Sequence, residues 1–395
     1  MDMSDFPSLG SDVLDTKATD EIRKHFNSQQ PRFAYEGVAG RGSYGMTYRV
    51  REKLPQGDGR QLAVKRALEG EEEVLRNETR WLKELAGSEH IVRIVASHDG
   101  AKKQGGFARW ARRLSSRGSK ADVRESLVGL KGPVLMIEYL KNGDLAQLHY
   151  RTTKYDLVAP NRALWSILLC LVRACIAMAY PRNADENAEP RLEEIPGDGA
   201  KPSNLDHGDL HMGNGDIGSP SGNEHQLVPI LKLIDFGQAK ENEHAVQENL
   251  FKVSKIMINL IARKVVQVDN TVFDYKGYRT YATEILPPHP EDLDHDYKYA
   301  SLDPRLRDLI ARCLAQDPGE RPGLAEMLRV VQAAAAGVDP DTEVAAAAAT
   351  TITPGESENV RETDEAIRAF LKKALYDATE DMAGNREESV APFGF

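Results

Sequence analysis

His207-Gly208-Asp209-Leu210-His211-Met212-Gly213-Asn214 and, a little further on, Leu231-Lys232-Leu233-Ile234-Asp235-Phe236-Gly237 decide how the rest of the chain is read. An Asp, an Asn five residues later and a second Asp closing an apolar strand supply one proton acceptor and two oxygen ligands for a hard cation. Asp209 can take and orient a hydroxyl proton, while Asn214 and Asp235 can hold Mg²⁺. Gly237 frees the backbone to turn directly after the second carboxylate. Singly, Asp209 and Asn214 are loop residues and Asp235 is a turn former or helix cap. The two runs together carry the chemistry.

Working outward, Gly40-Arg41-Gly42-Ser43-Tyr44-Gly45-Met46-Thr47 is a Gly-rich turn whose backbone can close over phosphates where side chains would clash. The hairpin signal Gln56-Gly57-Asp58-Gly59 leads into Gln61-Leu62-Ala63-Val64-Lys65, an apolar strand ending on a lysine. Val134-Leu135-Met136-Ile137-Glu138-Tyr139-Leu140 is a second apolar strand, running into Asn142-Gly143-Asp144. Each of these is common alone.

In combination they resemble the protein-kinase family over roughly residues 33–332. The resemblance implies an α+β, bilobal fold: a small antiparallel β-sheet lobe with one helix (33–140) and a larger, mainly helical lobe (141–332). It implies ATP and Mg²⁺, with the γ-phosphoryl group passed to a protein hydroxyl, Ser/Thr by default. Lys65 then holds the α- and β-phosphates and pairs with a helical glutamate. Glu78 fits that role because Leu82, Leu85, Ile91 and Val92 follow it, but the interval is short, so Glu71, Glu72 and Glu73 stay open. Asp209 becomes the base, and Asn214 and Asp235 the metal ligands. By the same resemblance Gly40, Gly42, Ser43, Tyr44 and Gly45 form the phosphate cradle, Thr47 packs near adenine, and Ala63 belongs to the same pocket. Ile137 lies beside the back of it, the backbone of Glu138 and Leu140 bonds adenine, and Asp144 lies near the ribose.

The departures matter for the acceptor. Gly208 stands where the family has an Arg, His211 where it has a Lys, and Asn249 where it has an Asp. Asn249 follows Asp235 by only fourteen residues, and between Gly237 and Asn249 there is no Ala-Pro-Glu and no Ser, Thr or Tyr. A phosphorylation switch of the ordinary kind is therefore not expected. Ala282-Thr283-Glu284 resembles the missing motif weakly, and lies beyond a helix expected over Glu248–Lys264. Leu309–Pro322 matches the family's late helix–loop signature but leaves Arg321 without an assigned partner. Two other readings stay open: a pseudokinase acting as an ATP-binding scaffold, and a small-molecule kinase of the aminoglycoside or choline type, which His-Gly-Asp-Leu-His also resembles.

A formal net charge of −10 argues against broad nucleic-acid binding, and no DNA partner is expected; a protein substrate is what the family resemblance implies. Cys170, Cys175 and Cys313 read as small buried thiols in a reducing compartment. Met1-Asp2-Met3-Ser4-Asp5 has neither a basic start nor an apolar run, which reads as cytoplasmic, or nuclear, rather than secreted. Ala163–Tyr180 has the length and apolarity of a membrane span, yet Arg173 within it and Pro181 after it predict a buried core helix instead, and no transmembrane segment.

The remaining stretches read as follows. Residues 1–32 form an N-terminal extension, loose to residue 18, with a short helix from Thr19 to Phe26. Residues 101–131 hold nine basic side chains against two acidic ones and read as an exposed insertion, with Phe107, Trp110 and Leu114 on one helical face. Residues 182–206 and 218–226 are expected to be exposed excursions, and 333–357 an Ala-rich linker. The tail, 358–395, carries an amphipathic helix over 363–382 with Ile367, Phe370, Leu371, Leu375 and Ala378 on one stripe. The basic insertion and this helix are the candidate partner sites.

Overall fold

Side chains alternate across strands β3 (Arg60–Ala67) and β5 (Val134–Glu138), as a pleated backbone requires. Leu62, Val64, Val134 and Met136 enter one core, while Ala63, Leu135 and Ile137 enter another. Lys65, two residues past Ala63, shares the second face. The computed structural model describes residues 9–54, 59–100, 123–186, 188–197, 199–220, 222, 224–268, 271–287, 298–337 and 361–376. With β1 (Phe33–Arg41), β2 (Gly45–Glu52) and β4 (Ile94–His98), the two strands make an antiparallel five-stranded sheet in the order β1-β2-β3-β5-β4. Register places Thr47 opposite Lys65 and Ala63 opposite Ile137.

The first face is covered by α1 (Leu9–Asn27), whose Ile22 and Phe26 are fully buried; the Phe26 ring meets Phe33 edge-on at 5.8 Å. This corrects the expected loose start: the stretch from Ser11 to Asn27 holds no Gly or Pro to stop a helix, so it begins well before Thr19. Leu127 and Leu130 complete the same core, so the end of the 101–131 insertion is embedded rather than exposed. Residues 101–122, with Phe107, Trp110 and Leu114, lie outside the described residues, as do residues 55–58 of the hairpin signal.

The second face takes α2 (Glu72–Glu84), which buries Leu75, Glu78, Trp81 and Leu82 at helical spacing. Beyond it, α3 (Leu145–Lys154), α4 (Asn161–Ala179), α5 (Ala245–Ala262), α6 (Pro304–Cys313) and α7 (Leu324–Ala335) surround a large apolar core. The chain is mixed α+β, with eight α-helices among the described residues. All of α4 except Asn161, Arg162 and Ser166 is buried. It is the one described helix long and apolar enough to cross a membrane, and 94% of that window is buried inside the fold. Arg173 at its centre is compensated by Glu224, 2.5 Å away.

Two antiparallel strand pairs carry the motif residues: β6 (Leu205–Asp206) with β9 (Lys240–Glu241), and, between them in the chain, the hairpin of β7 (Gly215–Ile217) with β8 (Leu231–Leu233). The excursions beside them are not exposed throughout. Glu193, Asp206 and His225 are each at most 2% exposed, and each has a polar partner within the fold. Residues 333–335 extend α7 instead of opening the linker.

The tail is docked. Thr363 caps α8 (Asp364–Leu371), and a π-turn over Lys372–Tyr376 follows. Ile367, Phe370, Leu371, Ala374 and Leu375 are buried, and Arg151 donates to the carbonyls of Ala374 (3.2 Å) and Leu375 (3.4 Å). The Glu362 carboxylate accepts from the N–H groups of Asn161 and Arg162, supplying the cap that Pro160 cannot give α4. The described part of the apolar stripe is thus used within the fold; Ala378 and the rest of 363–382 lie outside the described residues.

Candidate active site

Asp235 follows β8 in a left-handed conformation (φ 61°, ψ 69°), which Asp tolerates better than most residues. Its Oδ1 lies 2.8 Å from Lys65 Nζ, and the same nitrogen donates to Glu78 Oε2 at 2.6 Å. The lysine's partner is therefore Glu78. Glu71, Glu72 and Glu73 sit at the start of α2, where Glu73 pairs with Arg76 in solvent. The short interval from Lys65 suffices because Gly70 turns (φ 90°) between β3 and α2.

Burial alone would depress the Lys65 ammonium, but Glu78 and Asp235 outweigh it and hold it above the usual lysine range. Burial lifts Glu78 to about 7 against the pull of Lys65, with Asp235 adding to the rise. Asp235 resists its own burial through Lys65 and stays below the usual carboxylate range. Helix α2 is fastened to the backbone beyond Asp235: Asn77 Nδ2 donates to Gly237 O (2.9 Å) and Ala239 O (2.8 Å), and Trp81 Nε1 to Ala239 O (3.1 Å). A Cβ on Gly237 would lie 2.6 Å from Val74 Cγ1, so a side chain there would push the two apart.

The other motif residues converge on the same end of the β7–β8 hairpin. Ile234 N donates to Asn214 O (3.0 Å), and Asn214 Nδ2 to Asp209 O (2.7 Å), which leaves the Asn214 amide oxygen without a partner among the described residues. The Asp209 side chain is 46% exposed, against 33% for Asp235 and 2% for Glu78, so the prospective base is the group most open to a second substrate. His211 Nδ1 accepts from Gly213 N, and its Nε2 lies 3.6 Å from Asp209 Oδ2.

Beneath the loop, Asn249 Oδ1 accepts from His207 N (3.2 Å) and its amide donates to Leu205 O (2.9 Å). Burial keeps His207 below the usual imidazole range, and its Nε2–H donates to Ile234 O at 3.0 Å. Gly208 has φ 79°, and a Cβ on it would lie 2.0 Å from Gln238 O. An arginine cannot stand there, because the backbone after Asp235 fills its place.

Sequence reading missed Asp206 and Lys252. Asp206 is buried, which would raise its carboxyl, but Lys252 Nζ (2.8 Å), Gly208 N (3.0 Å) and Asn242 Nδ2 (3.2 Å) hold it below the usual range. The signal was present, since Lys252 lies one helical turn after Asn249 on α5. Arg321 finds its partner in Glu248 (3.4 Å), also bonds Gln247 O, and stacks over Phe251 at 4.6 Å. Glu284 turns instead to Lys264 and Tyr299.

In the sheet, Gly42 N donates to Gly45 O (2.9 Å), closing the turn that carries Ser43 and Tyr44. Gly45 is required by packing, since a Cβ would lie 2.7 Å from Arg66 O; at Gly40 it would meet nothing within 4 Å. Ala63, Thr47 and Ile137 share the Lys65 face. The N–H of Glu138 donates to Arg93 O (3.0 Å), and its carboxylate takes Lys232 Nζ (2.7 Å) and Arg93 N (2.8 Å). That N–H is therefore not available to a base, whereas Leu140 makes no backbone hydrogen bond to another described residue. Asp144 caps α3, accepting from Gln147 N at 2.7 Å, and burial raises its carboxyl. Asp216, which sequence reading also missed, bridges to Asp144 across the backbone and is pushed up to about 8 by burial and that neighbour.

The set fits a hard divalent cation and polyphosphate: two oxygen donors end one hairpin, and a cation stands beside them. No protein-family model matches the chain.

Proposed function

We propose that the chain is a Mg·ATP-dependent phosphotransferase of the protein-kinase kind, bilobal, acting on a protein hydroxyl. The observation that carries this is Lys65, bridging Glu78 and Asp235 beside the loop that presents Asp209 and Asn214. An ammonium has three donors. Two are engaged by carboxylates, which fixes the group in place and leaves the third for a phosphate oxygen. Asn214 and Asp235 would hold the cation, and bound Mg²⁺ would offset charge developing on the transferred phosphoryl group. Asp209, on the exposed side of the loop, accepts the hydroxyl proton and orients the oxygen for in-line attack. The glycine turn at 40–45 covers the phosphates with backbone.

The site is held assembled by fixed contacts. Asn77 and Trp81 hold α2 against the segment after Asp235, and Gly208 admits that segment where a phosphate-binding cation would otherwise stand. A scaffold that only binds nucleotide has no need of an accessible base, and the exposure of Asp209 favours catalysis.

Thermal unfolding with and without Mg·ATP tests the reading. Nucleotide should raise the midpoint, and Asp235→Ala should remove most of that rise by deleting a metal ligand. No rise at millimolar nucleotide in the unaltered protein contradicts the proposal.

A further inference from the structure

A second polar cluster lies behind β8, buried and apart from the cleft. His90 on the loop before β4, Cys170 on α4 and His225 on the loop before β8 are at most 1% exposed, and one donor atom from each lies within 4.8 Å of the other two. His90 Nε2 and His225 Nε2 are 2.9 Å apart, with rings inclined at 67° rather than stacked. Cys170 Sγ is 3.8 Å from His225 Nδ1. Two imidazole nitrogens cannot face each other at this distance with both lone pairs bare; a proton or a cation must stand between them.

We propose that His90, Cys170 and His225 bind one structural zinc ion. Zinc is held tetrahedrally at about 2.0–2.1 Å from nitrogen and about 2.3 Å from sulfur, which places donor atoms roughly 3–4 Å apart. His225 meets His90 through Nε2 and Cys170 through Nδ1, and only one of these nitrogens can bind the ion; with one donor atom taken from each residue the three lie within 4.8 Å of one another, within reach of this spacing. The donor set, two imidazoles and a thiolate, suits zinc and not the hard cation of the cleft. A ligand from outside the three side chains takes the fourth position.

The surroundings are those of a metal centre. Glu193, 2% exposed, accepts from His90 N (2.7 Å) and sits 2.7 Å from His90 Nδ1, which fixes the tautomer that turns Nε2 inward. Arg173 donates to Glu193 O and pairs with Glu224, the residue before His225. The cluster also bears on β8: Leu231 N donates to Cys170 Sγ (3.4 Å) and Leu233 N to His90 O (2.9 Å). A metal here cross-links three distant segments directly behind β8, the strand that leads into Asp235.

The test uses the full chain, made without a histidine tag, and elemental analysis after desalting. One zinc per chain is expected, and the same protein loaded with Co²⁺ should show a thiolate-to-cobalt charge-transfer band with the intense visible bands of a tetrahedral site. Cys170→Ser should abolish the charge-transfer band. Glu193→Gln, which keeps every ligand, should retain the band with affinity lowered about 10–100-fold. Should the variants fail to fold, the unaltered chain still decides. Protein that takes up no stoichiometric zinc, or another metal in its place, overturns the proposal, as does a charge-transfer band that survives in folded Cys170→Ser.

Discussion

The cleft at Lys65 and the knot at His90 are both clusters of polar side chains, oxygen donors and an ammonium in one and imidazoles with a thiol in the other, and they differ in what is left open. In the cleft, the Asp209 and Asp235 side chains are 46% and 33% exposed, and Lys65 keeps a donor in reserve. In the knot, His90, Cys170 and His225 face one another and Glu193 closes the back. Open valences at a solvent-facing end suit ligands that come and go. Valences turned inward suit something held for the lifetime of the fold. Substitutions in the cleft should therefore change rate more than stability, and substitutions in the knot the reverse.

The comparison is strained hardest at Gly208, which lies in the cleft but is as tightly enclosed as the knot. Gly208→Arg meets Gln238 O through its Cβ alone and loses a left-handed glycine, so a loss of stability above about 3 kcal/mol is expected. Urea unfolding measures it. A stable, active Gly208→Arg would mean that the segment after Asp235 is not locked where it is found.

Arg173→Met is the matching change in the knot. Removing one partner of a buried ion pair costs about 3–5 kcal/mol, and the loss should appear in the unfolding midpoint while folded protein keeps its rate of phosphoryl transfer. A rate that falls in step with stability would erase the distinction between the regions.

Asp206 lies under the cleft and belongs, by burial, with the knot, while Lys252, which pairs with it, is partly exposed. The Asp206 carboxyl is held below its ordinary value, so its contribution is fully present above about pH 4 and is lost as pH falls through the folded value. Lys252→Met should cost about 2 kcal/mol near neutrality, with the gap from the unaltered protein narrowing below about pH 4. Unfolding followed across the acid range checks this. A gap that is constant with pH would show that Lys252 acts through packing instead.

What could be read from sequence follows the same division. Asp209, Asn214 and Asp235 are legible because they stand in two short, ordered runs whose residue types can be read together. Lys65 and Glu78 are legible because the strand and helix beside them have plain periodicity. The knot was not, since its histidines are 135 positions apart, Cys170 is 55 from the second, and no spacing rule joins them. Loops 182–206 and 218–226 look exposed by composition, and only the fold shows that Glu193 and His225 are drawn inside. Arg321 lacked a partner in sequence because Glu248 lies far upstream, at the start of α5.

The most direct measurement of the central claim is phosphoryl transfer by Asp209→Asn, read beside nucleotide binding. The substitution preserves size and an exposed position and removes only the base. Transfer from labelled ATP to a mixed protein acceptor should fall about 10²–10⁴-fold while Mg·ATP affinity is unchanged. Equal transfer by the variant and the unaltered protein, with binding intact, would contradict the assignment of Asp209 and with it the phosphotransferase reading of this cleft.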